Sequence, residues 1–252
     1  MNHHYPEITL LVTHYNRSES LRHLLRTFKT LNCTFGDIVV SDDGSRPEHL
    51  EKIKDLQQTF PFRLITTPQN RGLGNNINKG QDSVTTPYTL YVQEDFEPLP
   101  PFPARLTEAL GYMKRDLELD LVRFYAYLLY PYLKPFTQHF SEMQVPALGT
   151  NYHKIYCYSD HPHLRRSTFL QRFGRYAEGV KVDRTEYRMC IAFIRNKGKA
   201  LFFNDYQSLF HQNDALEGST VQRRKWTTSH NSVISLARNI YRQLRYNYDL
   251  YF

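Results

Sequence analysis

The first 98 residues alternate strand-like and helix-like segments. Short apolar runs predict strands at residues 8–12, 37–41, 62–66 and 88–92. Each run is separated from the next by a segment with apolar residues at helical spacing or by a loop rich in Gly and Asn that leads into a helix. Such alternation favours parallel strands joined by right-handed crossovers, with the connecting loops gathered at one edge of the sheet. The sequence therefore predicts an α/β fold with a mostly parallel central sheet flanked by helices.

Two helix starts are predicted from local signals in this half. Ser18 precedes Glu19 and a periodic apolar stripe, which favours Ser18 as an N-cap. Pro47 is expected at the first position of the next helix.

The rest of the chain is less regular. We expect helices at 102–116, 167–173 and 186–195, strands at 121–129 and 200–203, and a long loop at 131–150. The tail is basic and aromatic, with Val233, Leu236, Ile240 and Leu244 at helical spacing. We predict one domain over 1–215, made of a nucleotide-binding half (1–98) and an acceptor-side half (99–215), and a helical extension over 216–252.

The amino-acid composition limits which classes of protein and partner are expected. The chain has 252 residues and a 40% hydrophobic content, enough for a globular core, and its net charge of +7 suits a polyanionic partner. Its cysteines, Cys33, Cys157 and Cys190, are odd in number and widely spaced, so neither a disulfide framework nor a zinc knuckle is expected. Without a signal-like or membrane-spanning apolar run, we expect a cytoplasmic protein.

Acidic and amide side chains follow the predicted strands. They occupy residues 13–17, Asp42-Asp43 and Glu94-Asp95, and parallel topology brings these loops together. Carboxylate oxygens suit Mg²⁺ or Mn²⁺, which in turn suit a diphosphate. The alternative is that both acidic pairs are ordinary turn residues.

Four motifs in this order resemble glycosyltransferase family 2 of the GT-A (Rossmann-like) fold. They are 8–17, 40–45, 70–74 leading into 78–80, and the Glu94-Asp95 turn. Beyond residue 98 the resemblance rests on 174–178, Glu186 and His211. It implies an inverting transferase that moves a sugar from a nucleotide diphosphate donor, of UDP type, to a glycan or lipid-linked acceptor in polysaccharide or oligosaccharide biosynthesis.

The resemblance also implies site residues. Tyr15 would stack on the base, Asp42 and Asp43 would accept hydrogen bonds from the base and ribose, and Asn70 with Arg71 would flank the phosphates. The implied nucleotide-sugar-binding set is Thr13, Tyr15, Asn16, Arg17, Asp42, Asp43, Asn70, Arg71, Gly72 and Glu94.

Mn²⁺ or Mg²⁺ would be held by Asp95, Glu94 and His211. Two departures from the family pattern weaken the expectation of strict metal dependence. Gln93 occupies the position where the family usually has its first acid, and Ile77 the position where it often has Arg. The negative charge of the phosphates would then have to be neutralised by Arg71, Lys79 or the metal.

Inversion requires a base on the acceptor side. The candidates are Glu178, Asp183 and Glu186; Glu186 best matches the family position, at the predicted start of a helix that favours its ionised form. Residues 159–163, which contain His161 and His163, lack a third ligand at usable spacing and are interpreted as an acceptor-side loop.

Two alternatives stay open. The chain could be a non-catalytic GT-A-like module that binds polyanionic glycan or nucleic acid, although its aromatics form no strand-face platform, so a nucleic-acid partner is not expected. The tail could lie on the inner face of an anionic membrane, but we favour packing of its apolar residues on the domain.

Overall fold

The computed structural model describes residues 2–147, 149–213 and 232–252. Its strands are β1 His3–His14, β2 Cys33–Asp42, β3 Arg63–Ile65, β4 Tyr88–Gln93, β5 Phe96–Pro98, β6 Leu119–Arg123, β7 Leu133–Pro135, β8 Phe140–Met143, β9 His163–Arg166, β10 Lys199–Phe203 and β11 Phe210–Gln212. The α-helices are α1 Ser18–Thr30, α2 Pro47–Gln57, α3 Leu73–Asp82, α4 Phe102–Arg115, α5 Phe169–Phe173, α6 Val182–Arg195 and α7 Ser232–Tyr251, with a 3-10 helix over Tyr152–Cys157.

One nine-stranded sheet forms the centre, in the order β3-β2-β1-β4-β9-β6-β10-β8-β7. Within it only β8 and β9 run against the other strands. Strands β5 and β11 pair separately as a small antiparallel sheet. The predicted α/β fold with a mostly parallel sheet is confirmed.

Both faces of the sheet are covered. Along β1, Leu10 and Val12 enter one hydrophobic core with α1 and α4, while Leu11 enters a second core with α3, α5 and α6. Successive strand residues point to opposite faces, which is why an unbroken apolar run is needed here. The side chains of β1 are therefore buried on both faces of the sheet.

The register aligns the strand ends that matter for the site. Thr13 lies opposite Ser41 on β2 and opposite Gln93 on β4, and His14 lies opposite Asp42. The carboxyl ends of these strands therefore finish at one level, as the alternating pattern predicts.

The helix α1 begins at Ser18 itself, so the prediction of Ser18 as its N-cap is wrong. The capping position falls on Arg17, whose side chain makes no capping hydrogen bond. Ser18 Oγ instead lies 2.9 Å from His49 Nδ1, which joins α1 to α2. Helix α2 begins at Pro47, as predicted.

The second half departs from prediction in three places. The strand expected at 121–129 ends at Arg123, because Phe124 N turns away to bond Pro162 O at 3.0 Å. The segment 131–150, expected to be a loop, contains the short strands β7 and β8. Strand β8 pairs with β7 across a turn and with β10, which is distant in sequence. Helix α6 begins at Val182, so Glu186 is not at its start.

The C-terminal helix is confirmed as α7, whereas residues 214–231 lie outside the described part of the chain. Ile240 and Leu244 are 53% and 68% exposed, so the prediction that they pack on the domain is wrong. The contacts come from another face, through buried Leu250 and through Gln243 Nε2, 3.2 Å from Gly149 O. The side chains of Val233 and Leu236 lie outside the described residues.

The three cysteines, Cys33, Cys157 and Cys190, are all free and buried. Among the described helices, none combines the length and apolar character needed to cross a membrane.

Candidate active site

His14, the last residue of β1, organises the loops at the strand ends. Its Nε2 accepts a hydrogen bond from Arg17 N at 3.1 Å, which places the ring proton on Nδ1. Nδ1 then donates to Asp42 Oδ1 at 2.8 Å. The turn at 14–17 is thereby fixed against the end of β2.

Asp42 is fully buried and has its acceptor positions occupied. Besides His14, it accepts hydrogen bonds from Ser45 N at 3.0 Å and from Thr66 Oγ1 at 2.7 Å. Burial alone would raise the pKa of Asp42, but these hydrogen bonds together hold it well below its ordinary value. The predicted contact of Asp42 with a base or ribose is therefore corrected: Asp42 supports the pocket from beneath.

Asp43 connects the end of β2 to the Gly-rich loop. Its Oδ1 accepts from Arg71 N and its Oδ2 from Gly72 N, both at 2.8 Å, while its own N donates to His14 O at 3.0 Å. Burial raises the pKa of Asp43, and the two backbone hydrogen bonds offset part of that shift. Gly72 adopts φ +86°, a conformation that a side chain would strain.

Several side chains of the loops at these strand ends have open surface, and we call the surface formed by residues 13–17, 42–45, 70–72 and 93–95 the strand-end pocket. Tyr15 and Asn16 are half-buried and Asn70 is exposed. Asn16 sits at φ +54° and its Oδ1 accepts from Arg46 N at 2.8 Å. Thr13 lies deeper, with Oγ1 3.1 Å from the Tyr91 hydroxyl. The predicted nucleotide-sugar-binding residues are thus brought to one edge of the sheet, and their roles stay predictions.

Arg17 crosses the pocket to the acidic turn after β4. Its Nη1 lies 3.0 Å from Asp95 Oδ2 and 3.8 Å from Glu94 Oε1, and all three side chains are at most 11% exposed. Gln212 Nε2 also donates to Asp95 Oδ2 at 2.9 Å. Asp95 Oδ1 is buried and has no hydrogen-bond partner among the described residues. A carboxylate oxygen left this way is a suitable ligand for a divalent cation.

The structure corrects the predicted contribution of His211 to a metal site. On β11, His211 lies opposite Glu97 and is exposed, whereas its neighbour Gln212 reaches Asp95. Adjacent strand residues face opposite sides, so both cannot point at Asp95. Within the described ranges no group of three or more His, Cys, Asp or Glu side chains could hold a metal ion by itself. The contact of Gln212 with Asp95 was not predicted, although Gln212 is the next residue after His211 on the same strand.

Glu186, in the second turn of α6, contacts two residues of the loop before β9. Ser159 Oγ donates to Glu186 Oε1 at 2.8 Å, and the Asp160 carboxyl group hydrogen-bonds Glu186. Burial first, and then the charge of Glu186, raise the pKa of Asp160 well above its ordinary value. Burial and the neighbouring carboxylate thus both favour the protonated form of Asp160.

Asp160 is the main residue that sequence reasoning missed. It lies in the segment 159–163, which we interpreted only as an acceptor-side loop. Its pairing with Glu186 joins parts of the chain that are far apart in sequence, and no local pattern reports such a contact.

The carboxyl pair adjoins the strand ends through Gln93. Gln93 Nε2 lies 3.4 Å from Asp160 O, so the residue that departs from the usual acid contacts the loop carrying Asp160. Glu94 and Asp95 follow directly, which places the acidic turn and the carboxyl pair on either side of Gln93.

The other two candidate bases occupy different surroundings. Glu178 accepts hydrogen bonds from Asn78 Nδ2 at 2.9 Å and Asn75 Nδ2 at 2.8 Å, and these amides lower its pKa. Its Oε2 also lies 3.3 Å from Arg71 Nη2. These contacts make Glu178 a weak base that ties the Gly-rich loop to α3. Asp183 is exposed in the first turn of α6.

Two cavities meet at Glu186. One, of about 280 Å³, is largely aromatic and is lined by Arg123, Tyr127, Tyr156, His161 and Glu186 among others. The second, of about 370 Å³, is lined by Tyr156, Asp183, Arg184, Glu186, Tyr187, Arg242, Arg245 and Tyr246. Glu186 and Tyr156 belong to both linings, so the two cavities are neighbours.

Comparison with known proteins identifies related sequences and folds. The family profile described as "Glycosyl transferase family 2" matches residues 9–177. Poly-beta-1,6-N-acetyl-D-glucosamine synthase of Staphylococcus epidermidis is 27% identical over 88 residues, which cover 35% of this chain and 21% of that protein. The synthase of the same name from Staphylococcus aureus gives the same identity and coverage. The chain thus spans about a fifth of the length of these curated relatives.

Solved structures share the fold at low sequence identity. S. aureus TarS in complex with UDP-GlcNAc gives a TM-score of 0.63 at 14% identity, covering 95% of this chain and 66% of that one. The mannosyltransferase PcManGT from Pyrobaculum calidifontis, in complex with GDP-Man and Mn²⁺, gives a TM-score of 0.53 at 13% identity, covering 78% of this chain and 55% of that one.

Proposed function

The chain belongs to glycosyl transferase family 2, and on that premise we propose that it is an inverting glycosyltransferase. It would move a sugar from a nucleotide diphosphate donor to a hydroxyl group of a glycan or lipid-linked acceptor. The observation that carries this proposal is the hydrogen-bonded pair of Asp160 and Glu186 beside the end of β4, next to the strand-end pocket.

In the proposed reaction, Glu186 acts as the base. The acceptor oxygen forms a bond to the anomeric carbon, the bond from that carbon to the donor diphosphate breaks, and the hydroxyl proton passes to Glu186. Asp160 holds its own proton and hydrogen-bonds Glu186, while Ser159 Oγ donates to Oε1, so the carboxylate is oriented before the acceptor arrives. Ser159 and Asp160 are positioning residues in this scheme.

The donor is proposed to lie in the strand-end pocket, in the half of the chain at 1–98. Tyr15 offers a ring for the base, and the loop that Asp43 holds presents Asn70 and Arg71 for the phosphates. We propose a UDP-linked N-acetylhexosamine as the donor, because TarS was solved with UDP-GlcNAc and the curated relatives are N-acetylglucosamine polymer synthases.

A divalent cation is proposed at the acidic turn, held by Asp95 with Glu94, where the unpartnered Asp95 Oδ1 fits such an ion. When bound, a divalent cation would act as a Lewis acid that stabilises negative charge on the leaving diphosphate. Mn²⁺ accompanies GDP-Man in PcManGT, which supports Mn²⁺ as the first ion to examine.

The experiment is a panel of nucleotide sugars assayed for donor hydrolysis and transfer, with Mn²⁺, Mg²⁺ or chelator. We expect one nucleoside diphosphate class to be turned over, and Glu186→Gln to reduce transfer by at least about 100-fold while leaving the donor Kd within about twofold. Glu118→Gln, at an exposed turn before β6, serves as the matched control.

Donor binding without turnover under every condition would instead favour the non-catalytic binding module. Near-normal transfer by Glu186→Gln would remove Glu186 as the base and leave the family assignment intact.

A further inference from the structure

The cavity between α6, α7 and the 3-10 helix carries an excess of cationic side chains that the proposed reaction does not use. Three arginines, Arg184, Arg242 and Arg245, line its volume of about 370 Å³. Its lining includes none of the strand-end loops at 13–17, 42–45, 70–72 or 93–95. It is therefore separate from the pocket proposed for the donor diphosphate.

Two of these arginines have no ion-pair partner among the described residues. In the described part of the chain, neither Arg184 nor Arg242 forms an ion pair with a carboxylate. Arg242 is half-buried and its Nη1 lies 3.2 Å from the Tyr152 hydroxyl, with the guanidinium 5.6 Å from the ring centre. Arg245 pairs with an acidic residue, with Nε 3.7 Å from Asp249 Oδ2, and the carboxylates Asp183 and Glu186 also belong to the lining.

Aromatic side chains complete the cavity in a way that suits a sugar. Tyr187 and Tyr246 lie with ring centres 5.0 Å apart, and Tyr156 continues from this cavity into the aromatic one. Tyrosine combines an apolar face with a hydroxyl group, which matches the two kinds of surface on a pyranose ring. The cavity thus offers contacts for a glycan together with contacts for an anion.

We propose that this cavity binds a phosphate group of the acceptor, so that the acceptor is a phosphate-bearing glycan or a glycan linked to a lipid through phosphate. The inference rests on the proposed transfer reaction, because Glu186 lies on the wall of the same cavity. A hydroxyl group at Glu186 and a phosphate at Arg184 and Arg242 are then parts of one ligand. Guanidinium groups suit phosphate because they present several parallel N–H donors.

The test compares binding of a phosphorylated and a neutral acceptor to the full chain. The probes are chitotriose bearing one 6-phosphate, chitotriose itself, and a trigalacturonide of similar size as a carboxylate control. We expect the phosphorylated probe to bind at least about tenfold more tightly than either other probe, and Arg184→Gln or Arg242→Gln to remove about tenfold of that affinity. Binding of neutral chitotriose should change by less than about twofold.

The matched control is Arg188→Gln, one turn along α6, exposed and outside the cavity lining, which should bind like the wild type. Arg242→Lys keeps the charge and should lose less affinity than Arg242→Gln, which separates an effect on phosphate from a folding defect. A second arm uses phosphatidylcholine vesicles with and without polyprenyl phosphate. Arginine-dependent binding confined to the vesicles would assign the phosphate to a lipid, and binding of the soluble probe would assign it to the glycan.

Equal affinity for phosphorylated and neutral probes together with no arginine-dependent binding to the polyprenyl phosphate vesicles, a preference for the galacturonide, or an equal loss in Arg188→Gln would overturn the inference. Wild-type donor hydrolysis, measured without acceptor, reports on the proposed function alone. Donor hydrolysis without a preference for the phosphorylated acceptor would contradict this inference alone. Arginine-dependent phosphate binding without hydrolysis of any donor would contradict the transferase proposal alone.

Discussion

The guanidinium group of Arg17 lies 3.0 Å from the Asp95 carboxylate at a site where both side chains are at most 7% exposed. The resemblance implies Arg17 as a nucleotide-sugar contact and Asp95 as a metal ligand, whereas in the structure the two side chains form an ion pair. Breaking a buried ion pair by removing one member leaves an uncompensated charge, which costs more than losing the attraction itself.

We therefore expect Arg17→Ala to lower the free energy of unfolding by about 3–5 kcal/mol. Urea denaturation measures this loss. The control is Arg22→Ala: Arg22 is 44% exposed in its pair with Glu19, so its replacement should lower the free energy of unfolding by less than about 1 kcal/mol. Mn²⁺ should raise the Tm of Arg17→Ala more than that of the wild type, because the ion supplies the missing charge. An equal response of both proteins would contradict a cation site at Asp95.

Asp42 should make stability depend on acid pH. Its pKa is lower in the folded protein than the unfolded value of about 3.9, so its stabilising contribution is complete above that pH and is lost as the pH falls further. Asp42→Asn should lose about 2 kcal/mol near neutrality and show a flatter stability curve below pH of about 4. Denaturant titrations across this range test it against Asp55→Asn, an exposed substitution that should follow the wild type.

Asp160 should act through its hydrogen bond to Glu186. Asp160→Asn keeps a donor toward Glu186 and should retain transfer within several-fold, whereas Asp160→Ala should lose about tenfold or more. Because the pKa of Asp160 is raised, the wild-type pH–rate profile should contain an ionisation above the ordinary carboxyl range. Superimposable profiles for Asp160→Asn and the wild type would show that this proton has no part in the reaction.

Gly72 and Gly111 should respond to alanine with opposite signs. Apart from the adjoining backbone, no atom of the described residues lies within 4 Å of a Cβ at either position, but Gly72 adopts φ +86°, whereas Gly111 lies within α4. Gly72→Ala should cost about 1–2 kcal/mol and weaken donor binding, since it strains the loop that Asp43 holds. Gly111→Ala should add about 0.5–1 kcal/mol of stability, and thermal unfolding of both variants checks the pair.

The parts of the fold that the sequence predicts are those with strong local signals. Apolar runs and turn residues identify β1, β2 and β4 and the level at which they end, and the four motifs lead to the family that the profile match confirms. Strands β7 and β8 are missed because three or four residues such as Leu133–Pro135 carry too little pattern to distinguish a strand from a loop.

The candidate site is predictable only where its residues share a motif. Asp42 and Asp43 are adjacent in sequence and similar in type, yet one is enclosed by His14, Ser45 and Thr66 while the other binds the loop at Gly72. The contacts of Asp95 with Gln212 and of Glu186 with Asp160 depend on packing between distant segments. Such contacts are set by tertiary structure, which composition and periodicity do not report.

Helix α7 supplies Arg242, Arg245 and Tyr246 to the cavity beside Glu186, while the loops after β1, β2 and β4 build the other pocket. In the proposed reaction, the two substrates would thus be recognised by segments that are far apart along the chain. Exchange of α7 between homologues would then change the acceptor without disturbing the choice of donor, which makes this helix a natural unit for grafting.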